Sequence, residues 1–225
     1  MVKEKTEIFG KKERALITDP LDGNNPITVQ ILGICSALAV TTLMAKAVVM
    51  AIAVTLVVAL SNFVTSLLRN TIPSQVRMIV QLIIVAFLVT IVELTLKAVN
   101  YPIYKELSVF IGLIITNCIV MGRLEAYAMA NTPWKSFLDG IGNGLGYGII
   151  LIIISFFREL LGKGTLFNYK IIGKTSEYLI DTTHSTLFGW YEPNNLMVLF
   201  PSAMFVIGII VWVHRSWRKD LVDVS

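Results

Sequence analysis

The chain has 225 residues, of which 55% are hydrophobic and only 15% are charged, and its mean hydropathy is +0.73. Because soluble domains usually carry about 25% charged residues, this composition excludes an ordinary soluble enzyme and indicates a membrane protein. The net charge of +4 comes from basic residues scattered between apolar runs, which excludes the continuous basic surface of a nucleic-acid-binding protein.

Residues 1–25 form a polar segment of mixed charge ahead of the first apolar run. This segment has neither the apolar core nor the small-residue cleavage site of a secretory signal peptide, so we expect a cytoplasmic N-terminal segment. It ends at Asn25-Pro26, a pair that predicts a helix start because Asn favours the N-cap and Pro favours the first helical position.

Uncharged and mostly apolar runs follow at residues 27–45, 47–68, 78–92, 107–122, 140–157 and 193–213. A helix that crosses the hydrocarbon core needs about 20 residues, with a range of about 17–25. The runs therefore predict an all-α polytopic membrane protein with six transmembrane helices. The third run reaches this length only if it continues past Glu93 to Ala98. The glycine-rich start of the fifth run, DGIGNGLGYG, favours close helix packing.

The first and fourth runs differ from the others because polar and small residues lie in their middle. The first, ITVQILGICSALAVTTLMA, contains Cys35, and the fourth, LSVFIGLIITNCIVMG, contains Cys118. Polar groups are costly inside a bilayer and usually face other protein or a functional site. We therefore predict that transmembrane helices 1 and 4 are interrupted or half helices.

The six runs divide into two sets of three, each with one cysteine in its first run. In each set the second run ends in a similar sequence, SNFVTSLLR at 61–69 and ISFFRELLG at 154–162. We therefore predict two three-helix repeats. Because three crossings are an odd number, the second repeat is inverted, and Cys35 and Cys118 are expected to face each other near the membrane midplane.

Lysine and arginine residues indicate the orientation. If the N-terminus is cytoplasmic, 12 of the 19 basic residues lie inside and 7 outside, which favours cytoplasmic N- and C-termini. The chain then divides into a cytoplasmic segment (1–25), a first three-helix repeat (26–98), a second, inverted repeat (99–215) with a long loop at 162–192, and a C-terminal tail (216–225).

Cys35 and Cys118, the only cysteines, leave three interpretations open. Both could be small apolar packing residues, because cysteine is among the most buried residue types. A disulfide is disfavoured, since oxidising enzymes do not reach the interior of a bilayer and the cytoplasmic side is reducing. Metal ligation is the third interpretation, although a spacing of 83 residues carries no ligand signature. Two thiolates are half of the four ligands of an iron–sulfur cluster, so a cluster would need a second polypeptide or a second copy.

Five stretches together resemble one family: NNPITVQILGICSALAVTT, RNTIPSQVRMIVQ, ELSVFIGLIITNCIVMGR, DGIGNGLGYG and FFRELLG. The family is that of the D-type subunits of the sodium-translocating NADH:quinone oxidoreductases, which are related to the E-type subunits of the Rnf complexes. The resemblance covers nearly the whole chain and is weakest in residues 1–20 and 166–192.

The resemblance implies a six-helix subunit with inverted repeats that pairs with a homologous E-type subunit of opposite topology and works with subunits A, B, C and F. By motif match, Cys35 and Cys118 would ligate a membrane-embedded 2Fe–2S cluster that the E-type subunit completes. The cluster would relay electrons between flavins on opposite sides of the bacterial inner membrane. The whole translocase would oxidise NADH, reduce ubiquinone or menaquinone and export sodium. FAD, FMN, riboflavin and other iron–sulfur centres would belong to other subunits, and this subunit would not be catalytic on its own.

Two other functional classes stay open. The equivalent subunit of an Rnf ferredoxin:NAD oxidoreductase would keep the redox chemistry, whereas a non-redox inverted-repeat transporter would use the cysteines only for packing. In the third run, Glu93 could belong to an ion path. We favour a second interpretation, in which Glu93 pairs with Lys97 at the membrane edge, because the two residues are spaced i,i+4.

Four further polar residues lie near the ends of the predicted membrane helices. Arg123 and Glu125 follow the second cysteine and could cap its helix or contact a neighbouring subunit. The histidines, His184 and His214, are isolated in the sequence. Nothing groups them with the cysteines, so we do not expect them to be metal ligands.

Overall fold

The computed structural model describes residues 11–21, 23–73, 75–99, 101–163, 165–166, 169–170 and 199–217. In this part of the chain nearly all secondary structure is helical, apart from one short antiparallel hairpin. The elements are α1 (Lys11–Thr18), a 3₁₀ turn (Asp19–Leu21), α2 (Ile34–Val40), α3 (Met44–Leu68), α4 (Arg77–Val99), α5 (Tyr101–Ile115), α6 (Cys118–Arg123), a π-helical turn (Leu124–Ala128), α7 (Pro133–Lys163), β1 (Thr165–Leu166), β2 (Tyr169–Lys170) and α8 (Phe200–Trp217).

Four helical segments are long and apolar enough to cross a membrane: Met44–Leu68, Arg77–Val99, Ser108–Ala128 and Pro133–Gly162. They correspond to the second, third, fourth and fifth apolar runs. The third run does continue past Glu93, as its length required. The sixth run corresponds to α8, which has 18 residues, and its first residues, 193–198, lie outside the described part of the chain.

The first run contains a half helix, but that helix begins later than the sequence predicted. The Asn25 side chain does accept hydrogen bonds from the backbone N–H groups of Ile27 and Thr28, at 3.0 and 3.3 Å. These bonds close a turn, and α2 starts only at residue 34. The reason is backbone conformation: Ile31 and Gly33 have φ angles of 57° and 79°, which a right-handed helix cannot contain.

The fourth run is interrupted directly before its cysteine, as predicted. Helix α5 ends at residue 115, and Asn117 has an extended backbone with φ −69° and ψ 125°. Its side chain accepts a hydrogen bond from the N–H of Ile119 and so caps the new helix α6. Helix α6 then widens into the π-helical turn, a feature that is frequent at functional sites.

Helices α3 and α7 pack closely at the centre of the fold. Three glycines of α7, spaced i,i+4, lie against α3, and a Cβ atom on Gly140 or Gly144 would come within 2.7 Å of the Cα atoms of Ala59 or Thr55. A Cβ atom on Gly148 would lie 3.0 Å from the Cβ atom of Ala51, also in α3. The close packing expected from the DGIGNGLGYG text is therefore confirmed.

The described part of the N-terminal segment packs against a second glycine face of α7. Gly142 lies against the backbone at Leu16, and Gly146 lies against the backbone at Pro20. The Asn25 amide also donates a hydrogen bond to the carbonyl of Gly146 at 3.2 Å. This segment is consequently part of the helical core and is not only a polar extension.

The outer helices are far less buried within the chain than α3 and α7. Helix α4 buries only Gln81, Val85 and Val89. On α4 and α8 several large apolar side chains are exposed, among them Phe87, at 67% exposure, and Phe205, at 74%. Because monomeric soluble proteins rarely expose such extended apolar surface, these faces fit contact with lipid or with other subunits.

Candidate functional site

The structure brings Cys35 and Cys118 together. Cys35 is the second residue of α2 and Cys118 is the first residue of α6, so each thiol lies at the start of a short helix that follows a break. Their Sγ atoms are 4.0 Å apart, although 83 positions separate them in the chain. Both side chains are exposed, so the pair faces away from the core of this chain.

This distance bears on two of the three uses that the sequence left open. A disulfide bond requires sulfur atoms about 2.04 Å apart, so the two thiols are not bonded to each other. Two thiolates that bind one tetrahedral metal ion through bonds of about 2.3 Å lie roughly 3.8 Å apart. The observed 4.0 Å between Sγ atoms is close to that value, and it is also the distance of a thiol–thiol hydrogen bond.

The described residues supply only these two thiols to such a site. No group of three or more His, Cys, Asp and Glu side chains with metal-binding geometry occurs among them. The exposed side of the pair is where further ligands from another polypeptide would have to approach. Within the described part of the chain, the geometry thus offers half of a four-ligand site.

Each sulfur atom lies at the start of a short helix, α2 for Cys35 and α6 for Cys118. The first N–H groups of a helix have no partner within the helix, and they carry partial positive charge. Donors of this kind stabilise thiolate charge and the charge of a metal–sulfur group.

A buried polar network joins the two cysteine segments. The Ser36 hydroxyl donates to the carbonyl of Gly33 at 2.9 Å and lies 2.6 Å from the hydroxyl of Tyr147. The Asn117 amide donates to the same Ser36 oxygen at 3.2 Å. Ser36 and Asn117 are the immediate neighbours of Cys35 and Cys118, so this network lies directly behind the two thiols.

Tyr147 joins this network to α7. It is completely buried and lies one residue from the midpoint of α7, so the network is close to half-way along a membrane-length helix. Its ring packs against Gly33, where a Cβ atom would lie 2.9 Å from ring atom Cε2. Sequence analysis missed Tyr147 because the sequence around it, GLGYG, indicates only close helix packing.

A buried arginine binds the other end of the half helix α2. Arg158 is 1% exposed, and its guanidinium donates to the carbonyl of Leu38 at 3.3 Å and to the hydroxyl of Thr41 at 2.6 Å. It also donates to the carbonyl of Leu199, just before α8, at 3.2 Å. A cation is favourable there, since the carbonyl end of a helix carries partial negative charge.

The next residue of α7 binds the start of α3. Glu159 is 1% exposed, and its carboxylate accepts a hydrogen bond from the backbone N–H of Met44 at 2.6 Å. An anion is favourable at a helix N-terminus for the same electrostatic reason. The FFRELLG sequence, which had been used only for the repeat and for the family resemblance, therefore holds the turn between α2 and α3 from both sides.

Arg123 and Glu125 both find partners within the chain. Arg123 forms an ion pair with Asp139 of α7, and its guanidinium lies 5.3 Å from the centre of the Tyr127 ring. Glu125 forms an ion pair with Arg77 at the start of α4. These ion pairs connect helices of the same chain, so neither is the expected helix cap, and contact of these residues with a neighbouring subunit stays a prediction.

Glu93 and Lys97 meet Tyr104 of α5 and not each other. The Tyr104 hydroxyl donates to the Glu93 carboxylate at 3.0 Å, and Lys97 lies 5.7 Å from the centre of the tyrosine ring. The hydrogen bond to Glu93 raises the pKa of Tyr104 above its usual value. The expected i,i+4 ion pair is therefore wrong, and an ion-path role for Glu93 stays a prediction.

The two histidines do not join the cysteine site in the described structure. His214 lies near the end of α8. His184 falls in residues 171–198, outside the described part of the chain.

Comparison with known proteins places these features in a family. The family described as "Rnf-Nqr subunit, membrane protein" matches residues 14–211. A protein of Shewanella sp. (strain W3-18-1), named as the D-type subunit of a Na(+)-translocating NADH-quinone reductase, is 54% identical over 213 residues, which cover 95% of this chain and 97% of the relative. A protein of the same name from Psychromonas ingrahamii is 53% identical over 210 residues, which cover 93% of this chain and 95% of the relative. Since these matches extend over nearly all of the sequence, the chain belongs to the Rnf-Nqr family of membrane-protein subunits.

Proposed function

We propose that this chain is the D-type subunit of a Na⁺-translocating NADH-quinone reductase. The subunit has no catalytic activity alone and works within the translocase. The support is the extent of similarity: relatives that carry this name match over 93–95% of the chain at 53–54% identity. Such similarity, without large gaps in coverage, favours a shared place in the same complex.

Within this subunit, Cys35 and Cys118 are proposed to supply two of the four ligands of a 2Fe–2S cluster. The observation that carries the proposal is the 4.0 Å separation of their Sγ atoms, at two helix starts that open outward from the chain. The two thiolates would bind one iron, and a homologous E-type subunit would supply the ligands of the other. When bound, such a cluster transfers single electrons.

The six-helix inverted repeat is proposed as the framework of this site, and reciprocal contacts support it. In the similar texts of the two second runs, Ser66 aligns with Glu159. Glu159 and its neighbour Arg158 bind the segment that follows half helix α2. Ser66, together with Asn62, donates to backbone carbonyls in the segment around the start of α7, which follows the other cysteine helix. The aligned residues Ser66 and Glu159 thus bind corresponding segments.

The proposed orientation places both termini in the cytoplasm and the chain in the bacterial inner membrane. This orientation puts the N-terminal segment, the α3–α4 connection and the turn after α6 on the cytoplasmic side, and these three parts of the chain are near one another. Arg69 donates to the carbonyl of Asn131 at 2.7 Å, and Arg77 pairs with Glu125, so the α3–α4 connection lies beside the turn after α6. Gly142, near the same end of α7, contacts the N-terminal segment.

In the proposed complex, electrons pass through the shared cluster between flavins on opposite sides of the membrane, and this transfer is coupled to sodium export. Subunits A, B, C, E and F complete the translocase. FAD, FMN, riboflavin and the remaining iron–sulfur centres belong to those subunits. The contribution of this chain is to hold two thiolates at a fixed distance within the membrane.

The test is substitution of each cysteine in the assembled complex. Cys35→Ala or Cys118→Ala is expected to remove a 2Fe–2S signal from the electron paramagnetic resonance spectrum of the reduced enzyme. Quinone reduction should be lost while transfer from NADH to the first flavin is retained. Thr116→Ala is the matched control, since Thr116 is exposed in the same interrupted segment.

The possible results separate the functional classes. An unchanged spectrum in both cysteine variants would show that the thiols are not cluster ligands and would favour a non-redox transporter. A complex that reduces ferredoxin or NAD but no quinone would indicate an Rnf-type enzyme. The isolated subunit is expected to bind little iron, because half of the ligands are then missing.

A further inference from the structure

Three hydrogen-bonding groups meet at the Ser36 hydroxyl. A serine hydroxyl has one proton to donate and can accept two hydrogen bonds. The Asn117 amide donates to it at 3.2 Å, and the carbonyl of Gly33, which can only accept, lies 2.9 Å away. The hydroxyl of Tyr147 lies 2.6 Å away, and either hydroxyl of that pair can be the donor. When Tyr147 is the donor, all three contacts are satisfied at once.

The three groups that meet at this oxygen come from three separate parts of the fold. Gly33 and Ser36 belong to the start of α2, Asn117 precedes α6, and Tyr147 belongs to α7. Ser36, Asn117 and Tyr147 are at most 2% exposed, so water cannot replace a missing partner easily. In such surroundings an unmade hydrogen bond is costly, and the favoured arrangement is the one that satisfies all of them.

The consequence for the thiols follows from chain connectivity. Cys35 is bonded to Ser36 and Cys118 is bonded to Asn117, so the contact between Ser36 and Asn117 fixes the backbones on which the two sulfur atoms are carried. The capping bond from the N–H of Ile119 to Asn117 fixes the start of α6 in addition. The thiols themselves are exposed, and the network lies directly behind the backbone segments that carry them.

We propose that Ser36 is a positioning residue, which sets the distance between the Cys35 and Cys118 sulfur atoms through its hydrogen bonds with Asn117 and Tyr147. The part of this proposal that concerns metal binding rests on the proposed function of the two cysteines. The part that concerns thiol spacing does not, since the network and the spacing are present in this chain alone.

The first readout measures thiol spacing directly in the assembled complex. Membranes that contain the complex are treated with a reductant and an iron chelator, and then with diamide, which oxidises two neighbouring thiols to a disulfide. Mass spectrometry gives the fraction of Cys35 joined to Cys118. Ser36→Ala is expected to slow this reaction about tenfold, because loss of buried hydrogen bonds lets the two helix starts separate.

Two further variants complete the experiment. Tyr147→Phe removes one hydroxyl but keeps the ring beside Gly33, and it is expected to cause a smaller decrease in the same direction. Ser61→Ala is the matched control, because among the described residues the buried Ser61 hydroxyl bonds only to the carbonyl of Val58 in its own helix. If Ser36→Ala prevents assembly of the complex, the comparison of Tyr147→Phe with Ser61→Ala decides the question.

The second readout is the cluster signal in untreated, reduced complex. Ser36→Ala and Tyr147→Phe are expected to broaden the electron paramagnetic resonance signal, while Ser61→Ala leaves it unchanged. Disulfide formation at the normal rate in both network variants would overturn the positioning role. Altered disulfide formation together with a signal that survives cysteine substitution would keep the positioning role and refute the cluster assignment, so the two failures can be told apart.

Discussion

Replacement of Gly33 by alanine should destabilise the cysteine site through two separate effects. The first is conformational, because Gly33 has φ 79°, in the left-handed region. For a residue with a Cβ atom this region costs about 1–2 kcal/mol. The second is steric, because the new Cβ atom would lie 2.9 Å from Cε2 and 3.3 Å from Cδ2 of the Tyr147 ring.

The steric effect can be given a magnitude from ordinary contact distances. Carbon atoms in favourable contact are about 3.5–4.0 Å apart, so the Tyr147 ring or the start of α2 must move by roughly half an ångström or more. Such overpacking typically costs about 1–3 kcal/mol. Together the two effects predict a loss of about 2–5 kcal/mol in the stability of the native arrangement around Gly33.

The assay is thermal stability of the purified complex, followed as the amount that remains assembled after heating at increasing temperatures. Gly112→Ala is the control, because Gly112 is helical and a Cβ atom there would meet no atom of the described residues within 4 Å. The control should match the unmodified complex or exceed it slightly, since alanine favours a helix more than glycine does. If Gly33→Ala were as stable as Gly112→Ala, the strain attributed to this position would be wrong.

Two other substitutions examine the helices that hold the site. Gly144→Leu should prevent close contact of α7 with α3 and lower the amount of complex in the membrane. Gly208→Leu is the control and should leave that amount unchanged, because a Cβ atom on Gly208 meets no described residue within 4 Å. Equal amounts of the two variants on immunoblots would contradict the packing argument. Arg158→Met should cost several kcal/mol, because three oxygen atoms lose a charged donor at about 1.5–3 kcal/mol each. Arg158→Lys should restore the thermal stability of the complex only in part, since one ammonium group cannot reproduce the geometry of a guanidinium; full restoration would show that charge alone is required.

The membrane helices were predictable because their signal is local. An uncharged run of sufficient length must be helical within a bilayer, so the end of α3 and most of α4 follow from the positions of charged residues, whereas α3 begins ahead of Lys46. The interruption before Cys118 was also predictable, since Asn117 is a good helix cap in the middle of an apolar run. These features depend on residues within a few positions of one another.

The start of α2 was predicted wrongly because the deciding feature is not local. Asn25-Pro26 has the chemistry of a helix start, and Asn25 does accept two backbone hydrogen bonds. The chain nevertheless takes left-handed conformations at Ile31 and Gly33 before the helix begins. Gly33 allows such a conformation, but no property of an isoleucine side chain favours it, so tertiary packing must impose it.

The ion pairs were also not predictable from local sequence, because their partners come from other parts of the fold. Glu93 and Lys97 have the spacing of a helical pair, yet Tyr104 from the next helix lies between them and interacts with both. Arg123 pairs with Asp139, sixteen positions away and after a break and a π-helical turn. A spacing rule applies only within one regular helix, and neither the neighbouring helix nor the irregular turn can be read from that rule.

The separation of the two thiols depends on contacts that no motif around either cysteine contains. Short spacings such as C-x-x-C fix two sulfur atoms through the local backbone, and a spacing of 83 residues cannot do so. Here the constraint comes from α7, because Tyr147 binds Ser36 behind the thiols and Arg158 binds the far end of α2. Helix α7 is in turn held against α3 by glycines that leave no room for adjustment. A site built in this way keeps its geometry only while these helices remain packed, so the glycine, tyrosine and arginine residues of α7 belong to the proposed site as much as the cysteines do.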